Sequence, residues 1–345
     1  MVSHWKAHGC RRTGCKYELK EKKSEEDVLN QEGEAARDHG RSGPRVVCVG
    51  ACHIDRKARA AARLTKAASN PATVERSFGG VARNVAENLC RLGAEVDLVS
   101  RLGEDGDGRS VREFMSGLPL GLGSVGTSLS APTAFHLIVL ESDGEMHVAV
   151  ADMRVYDELT PAALASLPAA LWQADAIFAD CNLPQESLDW LARRAGPDCA
   201  LAVNGVSPAK AVRAKICLPS AAFLFVNRGE AAALTGCDPD SLEPDQAAQA
   251  LRAAGAREVV ITLGAEGLVV AGDGPPRHLA KRPGPLQDVT GAGDALAAAF
   301  LDARLRGLDP AAAAERALAA ACLTVQSPQS VHPELSRERL ERMTS

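Results

Sequence analysis

The sequence predicts an α/β fold in which helices cover both faces of a mostly parallel central sheet. Short apolar strands recur along the chain, at residues 46–50, 96–100, 176–179, 200–203, 223–226 and 259–262. Helix-like segments separate most of them, and the clearest covers residues 81–92, with Val85, Leu89 and Leu92 on one face. Strands that alternate with helices in this way imply parallel βαβ units.

Two regions depart from this alternation and predict a small β-lid. Residues 135–140 and 146–150 read as strands on either side of Ser142-Asp-Gly144, which has the composition of a hairpin turn. Residues 56–76 also lack a long helical period. Hairpin strands do not easily join a parallel sheet, so we expect parts of 56–76 and 133–151 to form a β-lid beside the active site.

Composition excludes two classes of partner. The chain has 345 residues, of which 46% are hydrophobic, and its 39 Lys+Arg nearly balance 44 Asp+Glu. There is no basic field to attract nucleic acid, and 3 Trp, 2 Tyr and 7 Phe are too few for a base-stacking platform. No apolar run reaches the roughly 18 residues of a membrane span. We therefore expect neither nucleic acid nor a membrane as partner.

The ten cysteines predict core residues in a reducing compartment. Four of them fall within apolar strand-like runs or at their ends: Cys48, Cys181, Cys199 and Cys217. Such cysteines act as small hydrophobic residues, which favours a cytoplasmic protein. The pairs Cys10/Cys15 and Cys48/Cys52 lack the two-residue gap of a zinc site, so no structural metal is expected.

Residues 1–44 differ from the rest of the chain. Residues 17–27 are highly charged, and Gly40-Arg-Ser-Gly-Pro44 resembles a linker. The low apolar content predicts a disordered extension. A targeting peptide is the alternative, which the acidic residues disfavour. Residues 45–340 are expected to form a single α/β domain.

The most specific motif is Asp288-Val-Thr-Gly-Ala-Gly-Asp294, followed by an apolar run. Gly291 and Gly293 let the backbone approach a ligand closely, and the N–H groups at the following helix start suit a phosphate. Asp294 would repel that phosphate unless its carboxylate accepts a proton from an attacking hydroxyl. The alternative is an Asp that caps a glycine-rich turn. No G-x-G-x-x-G follows the first strand, which disfavours a nicotinamide oxidoreductase.

Residues 288–294 resemble the second signature of the ribokinase-like (PfkB) carbohydrate kinases. Residues 78–89, Phe-Gly-Gly-Val-Ala-Arg-Asn-Val-Ala-Glu-Asn-Leu, resemble the first. The similarity extends over about residues 46–333, with the motifs in the expected order. It implies a three-layer α/β/α domain with a β-lid, and ATP-dependent phosphorylation of a hydroxymethyl group on a sugar or nucleoside.

The resemblance also implies roles for individual residues. Those expected to hold sugar hydroxyls are Asp55, Gly79, Gly80 and Asn84. Asn227 and Glu230, in an N-x-x-E element, would organise phosphates and Mg²⁺, with Glu230 acting through water. The nucleotide site would be lined by Thr262, Gly264 and Gly267. The anion hole would be Gly291, Ala292 and Gly293, with Asp294 as the base. Asp288 and Thr290 match residues that help bind a monovalent cation such as K⁺ in some relatives.

The low aromatic content indicates an aliphatic adenine pocket, to which the Ala-rich helix predicted at residues 311–325 could contribute. A homodimer joined through the β-lid is also expected.

Within the family, the pattern G-G-V-x-R-N-x-A-x-N-L most resembles the pseudouridine kinases, which phosphorylate the 5′-hydroxyl of the ribosyl unit. Arg83 carries this distinction. Its guanidinium could reach a nucleobase carbonyl or hold the lid over it, or it could pair with a lid carboxylate instead. Asp180 and Asn182 are expected to be further substrate contacts. The alternatives are a ribokinase or another nucleoside kinase and, in a different class, a non-catalytic ligand-binding protein on the same fold.

Overall fold

The computed structural model of the protein describes residues 43–282 and 284–344. The predicted extension at residues 1–44 therefore lies almost entirely outside the described residues. Within them, the central sheet has nine strands: β1 (Arg45–Val49), β4 (Glu95–Gly103), β5 (Val125–Ser128), β8 (Ala176–Asp180), β9 (Ala200–Asn204), β10 (Ala221–Asn227), β11 (Glu258–Thr262), β12 (Leu268–Ala271) and β13 (Arg277–Leu279).

The strand order is β13-β12-β11-β10-β9-β8-β1-β4-β5. All pairs from β11 to β5 are parallel, whereas β12 and β13 add an antiparallel edge. The carboxyl ends of the parallel strands consequently share one edge of the sheet, which is where ligands bind in open α/β folds.

A second sheet, hereafter the small sheet, contains β2 (His53–Ala60), β3 (Ala72–Gly79), β6 (Phe135–Leu140) and β7 (Met146–Asp152). Its order is β3-β2-β6-β7, and β6 and β7 form the antiparallel hairpin that the Ser142-Asp-Gly144 turn predicts. The segments that interrupt the α/β alternation thus pair with one another instead of joining the parallel sheet.

The described helices are α1 (Val81–Arg91), α2 (Gly106–Ser116), α3 (Pro161–Ala165), α4 (Gln185–Ala192), α5 (Pro208–Ala211), α6 (Arg228–Thr235), α7 (Pro244–Ala253), α8 (Ala292–Leu305), α9 (Pro310–Thr324) and α10 (Arg337–Thr344). Short 3₁₀ turns occupy Arg154–Glu158, Ala169–Trp172, Val212–Ser220 and Gly264–Glu266. Helix α9 coincides with the Ala-rich segment predicted to be helical.

Alternating strand residues build two separate cores, one on each face of the central sheet. In β1, Val47 and Val49 belong to a core with residues of α4 and α7, whereas Val46 and Cys48 belong to a core with residues of α1, α8 and α9. Successive side chains of a strand point to opposite faces, so a strand buried on both sides needs two helical layers. The predicted three-layer α/β/α fold is confirmed.

The cysteines of the predicted strands are part of these cores. Cys48, Cys181 and Cys217 are buried, and Cys199 is half-buried at the edge of its core. Burial raises the pKa of the Cys217 thiol to about 12, so the group stays neutral and packs as an apolar side chain. Within residues 43–282 and 284–344, none of the helices combines the length and the apolar character that crossing a membrane requires.

Candidate active site

Polar residues end four neighbouring strands of the central sheet. Asp180 ends β8 beside Asn204 of β9, and Asn227 ends β10 beside Thr262 of β11. The parallel register brings these side chains to the same edge. The polar residues that follow apolar runs in the sequence thus lie together at one edge of the sheet, which is the candidate site.

Two residues far apart in sequence meet at the centre of this edge. Asn84 lies on α1, Asp294 lies in the first turn of α8, and the Nδ2 atom of Asn84 donates to Asp294 Oδ2 at 2.7 Å. The Oδ1 atom of Asn84 is buried and lacks a hydrogen-bond partner among the described residues. A buried acceptor of this kind is costly unless a ligand supplies the missing donor.

The electrostatic surroundings of Asp294 suit a proton acceptor. Desolvation raises the pKa of its carboxyl to about 7, and nearby Asp180 and Asp55 add to this effect. The Asn84 hydrogen bond and the Arg83 charge oppose the rise without cancelling it. Asp294 is only partly enclosed, so the cleft reaches it. A base with a pKa near neutrality accepts protons efficiently at physiological pH.

The turn before α8 leaves backbone donors exposed. Gly291 precedes the helix with φ 80°, and no side chain caps the helix start. A Cβ atom at Gly291 would collide with the carbonyl of Ser330, whereas a Cβ atom at Gly293 would meet open space. The N–H groups of the first helical turn have no capping side chain, so this end of α8 can accept an anion.

Asp55 enters the site from the small sheet. Its Oδ1 lies 3.2 Å from His53 Nε2 and 3.6 Å from His136 Nδ1. Burial alone would raise the pKa of Asp55, but hydrogen bonds and charge from the two histidines hold it well below its ordinary value. Gly79 lies so close that a Cβ atom there would overlap the Asp55 carboxylate. The next residue, Gly80, has φ 101° and starts α1.

Arg83 is placed differently from the prediction. Only 2% of the residue is exposed, and its guanidinium donates to Glu87 Oε2 at 2.7 Å and to the Phe78 carbonyl. The guanidinium also lies 5.7 Å from the centre of the Phe114 ring. These internal contacts correct the expectation that Arg83 reaches a nucleobase or pairs with a lid carboxylate. Arg83 instead fixes the end of β3 to α1.

Asp180 also has an internal role. The residue is fully buried, and Oδ2 accepts from the backbone N–H groups of Ala51 at 2.8 Å and Ala82 at 3.0 Å. Its Oδ1 accepts from the N–H of Asn182 at 2.9 Å. The carboxylate thus joins the end of β1 to the start of α1, which corrects its assignment as a substrate contact. The sequence could not reveal whether a carboxylate after β8 faces the cleft or the backbone.

Asn182 has a partner that sequence reasoning missed. Its Oδ1 accepts from Lys210 Nζ at 2.5 Å, and burial lowers the pKa of that ammonium. Lys210 lies on the short helix α5 after β9, and no motif around it signals a role. The structure therefore pairs the predicted Asn182 with a desolvated cation.

Asn227 and Glu230 form a reciprocal helix cap at the start of α6. Asn227 Oδ1 accepts from the Glu230 N–H at 2.9 Å, and Glu230 Oε2 accepts from the Asn227 N–H at 3.0 Å. Desolvation raises the pKa of Glu230. No group of three or more His, Cys, Asp and Glu side chains suited to a metal ion occurs in the described part of the chain. These residues fit a Mg²⁺ ion that is carried mainly by substrate phosphates and waters, to which Glu230 would be linked through a water.

A cavity of about 300 Å³ lies beside the glycine-rich turn. Its wall includes Thr262, Gly264, Gly267, Ala292 and Gly293, all predicted to contact nucleotide or phosphate. Most of the remaining wall is aliphatic, with Leu286, Val289, Leu296, Leu318 and Val325, and Lys281 and Arg282 also line it. The cavity therefore has the mainly aliphatic character expected of the adenine pocket, and α9 contributes to its wall.

Comparison with known proteins agrees with this geometry. The model of the pfkB family carbohydrate kinases matches residues 44–337. The chain is 30% identical to the pseudouridine kinase of Escherichia coli over 298 residues, which cover 84% of this chain and 93% of that protein. It is 25% identical over 260 residues to the ribokinase of Haemophilus influenzae, covering 74% and 84% of the two chains.

Solved structures show the same fold. A carbohydrate kinase from Agrobacterium tumefaciens is similar with a TM-score of 0.76 and 34% identity, over 87% of this chain and 97% of the other. The ribokinase of Arabidopsis thaliana, solved with ribose and ATP, is similar with a TM-score of 0.75 at 23% identity, over 88% and 99%. This chain is a phosphotransferase acting on a sugar or nucleoside hydroxyl, and it belongs to the PfkB family of carbohydrate kinases.

Proposed function

We propose that this protein transfers the γ-phosphate of ATP to the 5′-hydroxymethyl group of a ribosyl substrate, and that the substrate is pseudouridine. The observation that carries the proposal is the hydrogen bond between Asn84 and Asp294, which lies between an uncapped helix start and the small sheet. In this proposal a base, an anion site and a hydroxyl-binding amide lie together.

Asp294 acts as the proton acceptor. Its carboxylate takes the proton of the 5′-hydroxyl as the oxygen attacks the phosphorus atom. A pKa of about 7 leaves a large fraction of the group ionised at neutral pH, while making it more basic than an exposed aspartate.

The turn at residues 291–293 stabilises the charge on the transferred phosphate. The N–H of Ala292 would exchange its 3.3 Å bond to the Val289 carbonyl for the phosphate. Backbone donors held at a helix start stabilise developing charge strongly. The cavity beside the turn would hold the adenine against Leu296 and Leu318. Mg²⁺ would enter with the nucleotide and neutralise phosphate charge, with Glu230 orienting its waters.

Asp55 and Asn84 position the sugar. Asp55 stays ionised because its pKa is held low, and an ionised carboxylate accepts hydrogen bonds from sugar hydroxyls. The buried Oδ1 atom of Asn84, which lacks a partner among the described residues, would accept a further hydrogen bond from a sugar hydroxyl. The small sheet, which carries Asp55, acts as the lid that excludes water from the reaction.

Pseudouridine is supported by the relationship to the pseudouridine kinase of Escherichia coli named above. The Asn182–Lys210 pair supplies polar groups suited to the carbonyl and N–H groups of a uracil ring. Arg83 does not contribute to this argument, because its guanidinium is occupied by Glu87.

The test is a panel of pseudouridine, uridine, adenosine, ribose and fructose, each with MgATP, in which ADP release is measured. We expect the highest kcat/KM for pseudouridine, with pseudouridine 5′-phosphate as product by mass spectrometry. A higher value for ribose or adenosine would refute the substrate and leave the kinase reaction intact. Binding of pseudouridine by calorimetry without ADP release would instead favour the non-catalytic alternative.

We also propose a homodimer formed through the outer face of the small sheet, in a cytoplasmic protein. Val74, Ala58, Val139 and Val148 form one row across the four strands. Val74 and Val148 remain 62% and 45% exposed. The matching face of a second copy is equally apolar, and a two-fold axis would cover both faces at once.

A further inference from the structure

Lys57 extends from the small sheet to the glycine-rich loop before α8. It lies on β2, two residues after Asp55, so both side chains occupy the same face of the strand. The Lys57 ammonium contacts the Oδ2 atom of Asp288 and donates to Thr290 Oγ1 at 3.1 Å. The two side chains of the Lys57–Asp288 pair are only 22% and 24% exposed.

The Asp288 carboxylate also organises the loop at residues 288–290, which leads into the proposed anion site. Asp288 Oδ1 accepts from the Thr290 N–H at 2.8 Å and from the Thr290 hydroxyl at 2.6 Å. Burial would raise the pKa of Asp288, but Lys57 and Thr290 outweigh it and keep the pKa below its ordinary value. Asp288 thus stays ionised, with one oxygen on the loop and the other on Lys57.

A free monovalent cation does not fit these side chains. The family resemblance implies such an ion at Asp288 and Thr290, but their oxygens already face an ammonium group of the same charge. Two unit charges about 4 Å apart repel by roughly 4 kcal/mol at a protein surface. The described residues therefore disagree with the expected cation site.

We propose that Lys57 is a positioning residue whose tethered ammonium takes the place of a soluble monovalent cation. It holds the Asp288–Thr290 loop, and through it the anion site at residues 291–293, when the small sheet lies over the cleft. The enzyme is consequently independent of K⁺. The proposal rests on the proposed kinase reaction only because turnover is one of its two readouts.

The first readout is kcat and KM in KCl, NH₄Cl or tetramethylammonium chloride at equal ionic strength, with MgATP and the best substrate of the panel. The wild-type protein should be equally active in all three salts. Lys57→Met keeps an unbranched side chain, one heavy atom shorter and without the charge. It should lower kcat by about 10-fold to 10²-fold in tetramethylammonium, since a misplaced catalytic group has effects of that size. K⁺ or NH₄⁺ should restore most of the loss, because either ion can enter the vacated position.

Two variants serve as controls. Lys57→Arg retains a cation and should remain independent of K⁺. Arg59→Met removes an exposed cation from the same face of β2 and should leave kcat and its salt dependence unchanged.

The second readout, thermal melting without substrate, does not depend on turnover. KCl should raise the Tm of Lys57→Met relative to tetramethylammonium chloride, and should leave the wild-type Tm unchanged. Activation of the wild-type protein by K⁺ would overturn the proposal. So would a Lys57→Met variant whose activity and Tm ignore K⁺, including one whose main defect is a raised KM for ATP. If the wild-type protein phosphorylates nothing on the panel, the proposed function fails. The effect of KCl on the Tm of Lys57→Met then tests the role of Lys57 by itself.

Discussion

The two signature segments, residues 78–89 and 288–294, meet at the Asn84–Asp294 hydrogen bond but use their polar groups in opposite ways. The second segment leaves its helix start uncapped, with a partly exposed Asp294 beside it. The first buries Arg83 and ties it to Glu87 and the Phe78 carbonyl. In the second segment Lys57 holds Asp288 and Thr290, but residues 291–294 keep polar groups available for a ligand. The first segment uses most of its polar groups to fix the position of Asn84.

This difference assigns the reaction chemistry to Asp294 and the helix start beside it, and structural support to Arg83. A change at Asp294 should alter the rate without harming the fold, whereas a change at Arg83 should harm the fold first.

The largest effect is expected for Asp294→Asn. Removing the proton acceptor should lower kcat by at least about 10²-fold, the usual contribution of a general base, while KM for the nucleoside changes little. Steady-state kinetics measures both. Near-normal turnover would mean that the base lies elsewhere.

The same variant can be checked for folding. Burial opposes the charge on Asp294, so a neutral side chain of the same size should keep or raise Tm at pH 8. A clear fall in Tm would assign Asp294 a structural role and weaken the distinction between Asp294 and Arg83.

The pH dependence of kcat/KM should report the same group. The pKa of Asp294 is raised from 3.8 to about 7, so the carboxylate that accepts the proton is lost as pH falls through 7. Activity should level off above that pH and fall about tenfold per unit well below it. A profile that stays flat down to pH 5.5 would contradict the raised pKa.

Arg83→Met should mainly affect stability. Breaking a buried ion pair typically costs roughly 3–5 kcal/mol. Because Arg91 still contacts Glu87 at 2.8 Å, we expect about 2 kcal/mol, or roughly 4–8 °C in Tm. The preference for pseudouridine over ribose should survive.

Arg91→Met is the matched control, since it removes the more exposed partner of the same carboxylate and should cost less. If Arg83→Met retains its Tm but loses the preference for pseudouridine, Arg83 does contact the base after all.

The smallest effect on catalysis is expected at the outer face of the small sheet. Val148→Lys places a charge on the apolar row and should shift the protein from dimer to monomer in sedimentation experiments, with kcat reduced only slightly. A wild-type protein that sediments as a monomer would refute the proposed interface.

Much of the site could be predicted because its position follows from the chain pattern. Apolar runs ending in polar residues predicted the edge of the sheet, and the glycines of 291–293 predicted the candidate anion site. One contact and one shared strand face were also accessible in principle. Arg83 and Glu87 are four residues apart on a predicted helix, which is the spacing of an ion pair. Lys57 lies two residues after Asp55 on a strand, and this spacing places both side chains on one face.

The remaining contacts depend on tertiary placement. Nothing in the sequence near Asp180 shows that its carboxylate meets the N–H groups of Ala51 and Ala82. Similarly, the contact between Lys57 and Asp288 joins residues that are 231 positions apart, and it exists only because the small sheet lies over the turn before α8.

The most direct test of the site is a crystal structure with pseudouridine and a non-hydrolysable ATP analogue. We expect the 5′-oxygen within about 2.6–3.2 Å of an Asp294 carboxylate oxygen, the reach of a general base. The γ-phosphate should then lie on the N–H groups of residues 291–293, and Arg83 should still contact Glu87. A 5′-oxygen beyond the reach of Asp294, or a γ-phosphate away from that turn, would contradict the proposed mechanism.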